Sequence, residues 1–336
     1  MMSRQGNPVS CMRLRLLRAF LSASCILMLG TPGGAQVKYP DKPITIVVPS
    51  APGGSTDFTA RLIAEPLSRA LGQPVVIDNK AGASGNIGNQ LVAKAKPDGY
   101  TLLLAYSGYQ VGNPHLFSKT GWDPIKDFTP IAMLTRAPQV LAARVNLPVS
   151  NLRELIAYAK ANPGKLNYAS SGNGSIQHIA GELFKQMTGT SLQHIPYKGA
   201  GPAVQDLLGG QVDLFFTTPA SVVGQIKAEK LKGLTVTSST RLSSLPQVPT
   251  TRESDLKDFT LDSWFALYGP AGTPADVVAR LSSELQKILQ MPEIRKKAEE
   301  AGTLVEFMTP AQLGDYTVKE LEYWGQVIRS AKISAD

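Results

Sequence analysis

The sequence predicts an α/β fold made of two strand–helix units in tandem, and three observations carry that reading. Short β-branched runs alternate with helical patterns along most of the chain, the order that lays strands side by side with helices on their faces. Four turns rich in Gly, Ser or Thr each follow a strand run and precede a helix. The length, 336 residues with 43% hydrophobic, is about two domains of chain, with no sign of global disorder.

The elements follow in order. Ile44-Thr45-Ile46-Val47-Val48 reads as a buried strand stopped by Pro49. A helix through Phe58, Leu62, Ile63 and Leu67 comes next and ends at Leu71-Gly72; Pro66 inside it is expected to kink or split it. Val75-Val76-Ile77 is a second strand, Ile87 to Ala95 a second helix, and Thr101 to Ala105 a third strand. This βαβαβ order argues for a parallel sheet.

A second series opens at Asn151, with Glu154 three residues on as a helix start. Strands are expected at Leu166–Ala169, Leu192–Ile195, Asp213–Thr217 and Gly233–Val236. Helices are expected around Ile176–Met187, Ala203–Leu208 and Val222–Ala228. The tail reads as helical, with Thr273-Pro274 and Thr309-Pro310 as starts that place Pro at the first helical position. Apolar stretches near 131–145 and 261–268 are expected to pass between the units. The first domain is then discontinuous, 36–136 with 259–336, around a second domain, 137–258.

Residues 1–35 have the order of a secretory signal: Arg4, Arg13, Arg15 and Arg18, an apolar run through Leu29, then small residues to Ala35. The apolar run is too short to span a bilayer, so cleavage after Ala35 and a periplasmic location are expected. Of the 34 Lys and Arg, those four leave with the segment, giving 30 basic against 26 acidic residues. No dense basic run remains, which disfavours nucleic acid as a partner. Cys11 and Cys25 also leave, so disulfides, thiol nucleophiles and Cys-based zinc sites are excluded from the mature chain.

Enzyme motifs are absent: there is no G-x-S-x-G, no Walker loop and no G-x-G-x-x-G, and the spacing of His115, His178 and His194 matches no metal pair. Ser175 and His178, three apart, read as a helix-capping serine beside a surface histidine. The four turns are more informative: Ala51–Thr56, Ala81–Asn86, Ser170–Ser175 and Lys198–Pro202. Glycine lets a backbone approach a ligand, and a helix start offers unpaired N–H groups with partial positive charge. Two such turns facing each other would hold a small anion without Lys or Arg. Tyr106, Ser107, Tyr197, Thr217 and Thr218 lie near these turns and are expected to shape the pocket. Gly54 and Gly174 are expected to tolerate no side chain there, a Val at either abolishing binding without lowering the melting temperature.

Blocks along the whole mature chain carry a resemblance. They include Tyr39-Pro40-Asp41-Lys42-Pro43-Ile44, Pro52-Gly53-Gly54 with Asp57, Asn79 to Gly88, Ala93 to Leu102, Tyr168 to Phe184, Pro196-Tyr197-Lys198-Gly199 and Gly269 to Pro274. In these the sequence resembles the Bug family, extracytoplasmic receptors of the tripartite tricarboxylate transporter type. It departs at Pro66 and at Ser50-Ala51, where the family often has an aromatic. The resemblance implies a type II periplasmic binding protein of the Venus-flytrap kind, two α/β domains joined by crossover strands. It implies a carboxylate ligand (di- or tricarboxylate, acidic amino acid or aromatic acid) gripped by backbone amides and small hydroxyls. Carried onto this chain, the ligand residues are Pro52, Gly53, Gly54, Ser55, Thr56, Ser107, Ser171, Gly174, Ser175, Tyr197, Gly199, Thr217 and Thr218. The implied partners are transporter membrane subunits; the receptor is expected to be a monomer with no catalytic residue, metal or cofactor. Two alternatives stay open, an exported hydrolase using Ser175 and His178, and a ligand sensor for a membrane kinase.

Overall fold

The computed structural model describes residues 1–2, 39–254 and 256–334. The expected signal segment, its cleavage position after Ala35, and Cys11 and Cys25 lie outside the described residues. The chain divides into Met1–Asp41 and Lys42–Asp336, and all that follows concerns the second unit.

The first β-branched run forms β1 (Ile44–Val48), whose Ile44, Ile46, Val47 and Val48 are buried. Its neighbours on either side are β2 (Val75–Asn79) and β3 (Thr101–Tyr106), both parallel to it. The crossovers are α1 (Ser55–Leu71) and α2 (Asn86–Ala93). Pro66 does not split α1, which runs through it as one helix. The missing N–H costs a single backbone bond, while Leu62, Ile63, Pro66 and Leu67 are all buried on the side facing the sheet.

After β3 the chain makes a π-turn at Gly108–Gly112 and a short helix α3 (Asn113–Leu116) before β4 (Phe128–Pro138). A single residue, Gln139, separates β4 from β5 (Val140–Arg144), and β5 belongs to a second sheet. The Gln139 N–H donates to Thr237 Oγ1, the Thr237 N–H donates back to the Gln139 carbonyl, and Gln139 Nε2 donates to Ser263 Oγ. The change of sheet is therefore fastened to the returning segment rather than left as a free linker.

Within the second sheet, α4 (Leu152–Ala161) starts as expected, the Asn151 side chain accepting from the Glu154 N–H. Strands β6 (Leu166–Ser170), β7 (Leu192–Pro196) and β8 (Leu214–Thr217) are parallel and linked by α5 (Ile176–Thr188) and α6 (Ala200–Leu208). The short α7 (Val223–Lys227) leads to β9 (Leu231–Val236), and the spatial order is β7-β6-β8-β5-β9.

The chain then returns. β10 (Asp262–Pro270) lies wholly in the first sheet, antiparallel to both β3 and β4, so the second passage falls in 237–261 and not in the 261–268 stretch. The expected helical tail holds α8 (Ala275–Gln290) and α9 (Pro292–Glu300), an unexpected strand β11 (Leu304–Met308) paired with β4, and α10 (Pro310–Ser330). Thr309 and Gln312 complete a capping box at α10. At α8, by contrast, Pro274 is itself the cap residue, and the Thr273 hydroxyl donates back to the Pro270 carbonyl.

The first sheet thus has the order β11-β4-β10-β3-β1-β2. Both sheets are mixed rather than parallel, because the strands next to the crossings enter from the far side. Aromatics fill the core: Phe184, Phe216 and Phe259 meet at 5.5–6.3 Å, and Tyr106 stacks on Phe265 at 5.7 Å. Each contributes about 2–3 kcal/mol by leaving water.

Candidate functional site

The four glycine-rich turns meet in two pairs. In the first, the Ala51 N–H donates to the Lys198 carbonyl at 3.0 Å, and a Cβ on Gly201 would lie 2.0 Å from the Pro52 carbonyl oxygen. Only glycine allows that approach. In the second pair, Gly172 packs on Ser84, and Asn113 Nδ2 donates to the Ser84 carbonyl at 2.8 Å.

Between them lies a pocket lined by Ser50, Gly54, Ser55, Thr56, Tyr106, Tyr109, Ser171, Gln177, Gly199, Ala200, Thr218 and Phe265. None of these side chains is charged. Positive potential comes from the backbone instead: α1 begins at Gly54 and α6 at Gly199, neither with a side-chain cap, so their first N–H groups and dipole ends are at the pocket wall. Ser55 and Thr218 touch hydroxyl to hydroxyl across it. Ser50 Oγ and, just behind, Thr217 Oγ1 are buried without a hydrogen-bond partner among the described residues.

Three more bonds join the end of β3 and the turn after it to the Ser170–Ser175 turn and α5. Tyr109 donates to the Ser171 carbonyl at 2.6 Å, Tyr106 donates to Gln177 Oε1 at 2.7 Å, and the Ile176 N–H donates to the Tyr106 hydroxyl at 2.9 Å. Burial raises the pKa of both phenols, so they act as neutral donors. The space left inside is only about 20 Å³, room for one water.

Asp57 holds the first turn from behind. Its carboxylate accepts from the Gly53 N–H (3.2 Å), from Arg61 (2.9 and 3.1 Å) and from Asn79 (3.2 Å). Burial raises its pKa, but the donors of Arg61, Gly53 and Asn79 together outweigh that and hold it below the ordinary carboxylate value.

A larger cavity of about 720 Å³ lies elsewhere, lined by Arg136, Thr237–Ser243, Asp262 and Gly302–Val305 among others. None of the four turns reaches it, and no helix of eight residues or more begins there, so the small pocket is the candidate site. Among the described residues no group of three or more His, Cys, Asp or Glu is placed to hold a metal. No helix among them is long and apolar enough to cross a membrane.

The sequence pattern that defines the tripartite tricarboxylate transporter family receptor, TctC, matches residues 59–333. The chain belongs to this receptor family. Solved structures similar to the receptor include the periplasmic binding protein BugD, 37% identical with a TM-score of 0.85 over 88% of this chain and 99% of that one. An R. palustris protein with adipate is 35% identical, with a TM-score of 0.86 over 88% and 99%. MatC from Rhodopseudomonas palustris, with bound malate, is 35% identical, with a TM-score of 0.82 over 86% and 100%. The type II periplasmic binding fold expected from the sequence is the fold of these neighbours.

Of the thirteen ligand residues expected for the receptor, Gly54, Ser55, Thr56, Ser171, Gly199 and Thr218 line the pocket. Pro52 and Gly53 sit one step back, against Gly201. Ser107 is committed elsewhere, its hydroxyl accepting the Trp264 N–H. The Tyr197 hydroxyl donates to Asp206 Oδ2 at 2.7 Å, so its polar end engages the following helix, α6; burial and that carboxylate push its pKa up to about 12. Gly174 packs against Asn113 and Leu116 outside the lining.

Ser175 caps α5, accepting from the His178 N–H while its hydroxyl donates to the Gly172 carbonyl. The expected surface histidine is instead buried, its Nδ1 accepting from the Gly174 N–H. The hydroxyl and the ring are thus each bonded to backbone and not to one another. Tyr109, Gln177 and Phe265 line the pocket without having been singled out in the sequence. Tyr109 and Phe265 look like core residues there and Gln177 like a surface amide, and only the meeting of the two sheets' edges turns them inward.

Proposed function

We propose that this receptor binds a small dicarboxylate where the turns meet, one carboxylate lying against the starts of α1 and α6. The observation that carries this is the uncharged pocket wall built from two helix starts and the hydroxyls of Ser50, Ser55, Thr56 and Thr218. Such a wall recognises an anion through backbone donors. Relatives solved with adipate and with malate support the ligand class.

In this reading residues 36–136 with 259–336 form one lobe and 137–258 the other. Gln139 and Thr237 form the hinge, and the closed lobes are handed to transporter membrane subunits in the periplasm after removal of residues 1–35. Ligand contacts to both lobes drive closure, since only differential affinity for the closed form shifts the equilibrium. Neither catalysis nor a resident cofactor enters this reading.

The test is a thermal-shift series on refolded exported protein with adipate, malate and their diamides. Ligand at about 100 times its Kd adds about 2.7 kcal/mol, several degrees in Tm. A shift with an acid that its diamide lacks supports the proposal. Equal shifts with acid and diamide, or none with any acid, overturn it.

A further inference from the structure

Behind the Ser170–Ser175 turn, two imidazoles lie face to face. His178, the third residue of α5, and His194, in the middle of β7, have ring centroids 4.1 Å apart and planes within 14°. Tyr168 of β6 stacks on His194 at 4.9 Å. Both rings are tied to the turn that carries Ser171 to the pocket. His178 Nδ1 accepts the Gly174 N–H at 3.2 Å, His194 Nε2 is bonded to Ser170 Oγ at 2.6 Å, and that hydroxyl accepts the Gly172 N–H at 3.1 Å.

Titratable and charged groups face the pair from every side. Tyr168 on β6 donates to Glu182 Oε1 at 2.6 Å, Lys185 on α5 bonds both Glu182 oxygens, and Lys332, beyond α10, lines the same hollow as both histidines. Burial pushes the pKa of both rings down; each is neutral at pH 7. The nearly parallel planes keep their lone pairs from converging on one ion, which argues against a metal pair.

We propose that His178, braced by His194, is the positioning residue of the ligand-binding turn and makes ligand capture acid-labile. The inference rests on the carboxylate reading of the pocket above. An Nδ1 that accepts cannot carry a proton. Protonating it sets a donor against the Gly174 donor and a cation against the neighbouring ring, so the Gly172–Ser175 turn gives way. With it go the Tyr109 bond to Ser171 and the Tyr106 bond to the Ile176 N–H, the contacts by which this turn and helix meet the end of β3 and the turn after it. Acid then loosens the grip on the ligand from behind the pocket.

The test compares the wild type, His178→Asn and His178→Leu by calorimetry with adipate and malate at pH 7, 4 and 3. Amide exchange at Gly174 is followed in the same proteins without ligand. Asn keeps an acceptor near the Nδ1 position and cannot be protonated; Leu removes the acceptor. One linked proton changes affinity by up to about tenfold per pH unit. With the His178 ring protonated only near pH 4, the wild type is expected to lose about twofold more affinity than His178→Asn by pH 4 and about tenfold more by pH 3. His178→Asn should bind comparably at pH 7 with a flatter profile, since ligand protonation affects both proteins alike. His178→Leu should bind at least about tenfold more weakly at pH 7. Gly174 should lose protection at pH 3 in the wild type and keep it in His178→Asn. The same pH profile and the same Gly174 protection in wild type and His178→Asn overturn the inference, as does wild-type affinity in His178→Leu. Should neither acid bind the wild type at pH 7, the carboxylate reading falls, and the exchange experiment alone still decides the role of His178.

Discussion

Ser55 at the start of α1 and Thr218 just after β8 are hydrogen-bonded hydroxyl to hydroxyl, although 163 residues separate them in the chain. Each lies in a turn that leaves a different sheet, so this contact closes the pocket at the level of single atoms. An entering carboxylate would replace the partner hydroxyl on both sides. We expect Ser55→Ala and Thr218→Ala each to weaken dicarboxylate binding by about 1.5 kcal/mol, slightly over tenfold. Calorimetry on the singles and the double variant checks this, and strict additivity would mean that the two hydroxyls do not share a ligand.

Gly54 and Gly174 separate two effects that the sequence joins. Gly54 has φ −96°, and a Cβ there would meet Ala200 Cβ at 3.2 Å. Gly54→Ala is therefore expected to leave Tm within a degree or two while reducing affinity. Gly174 has φ +83°, and its Cβ would approach Asn113 Oδ1 at 2.8 Å and Leu116 at 2.9 Å. Gly174→Ala should itself destabilise the protein by about 1–3 kcal/mol, against the expectation of an unchanged melting temperature. Thermal unfolding of the two variants side by side shows whether they part in this way.

Tyr106→Phe would leave the Ile176 N–H and Gln177 Oε1, both buried, without their shared partner. Each unsatisfied group costs about 1–3 kcal/mol. Because both bonds run from β3 of the first sheet to α5, which packs on the second, the loss should fall on ligand affinity more than on urea stability. A variant that unfolds early yet binds normally would contradict this.

Asp57 sets a pH dependence. Its native pKa lies below the ordinary value, so its contribution is fully present above about pH 4 and is lost as pH falls through the native value. Asp57→Asn should cost about 2 kcal/mol at pH 7. Urea melts of wild type and variant should draw together as pH falls through the native value; a gap that stays constant with pH would show that the charge is not what holds the turn.

Much of this protein was legible from residues alone, because the signals were local. β-branched runs marked β1 and β2, and short runs bounded by turns in a repeating strand–helix order marked β3 and the parallel strands of the second sheet. Asn151 with Glu154, and Thr309 with Gln312, marked helix starts, since a cap is a bond within four residues. The glycine-rich turns marked strand-to-helix corners where backbones approach closely. Tertiary structure alone decided the rest. β11 formed because β4 offered it an edge, and its own half-exposed residues carried little pattern. β10 stayed within one sheet because its partners, β3 and β4, both precede it there. Tyr109, Gln177 and Phe265 became pocket walls, and His178 a buried brace, only when distant segments met. Sequence determines what a segment can form by itself; which faces are buried and which hydroxyls oppose each other depends on contacts between residues far apart in the chain, 62 positions for Tyr109 and Ser171 and 163 for Ser55 and Thr218, and no local pattern encodes those.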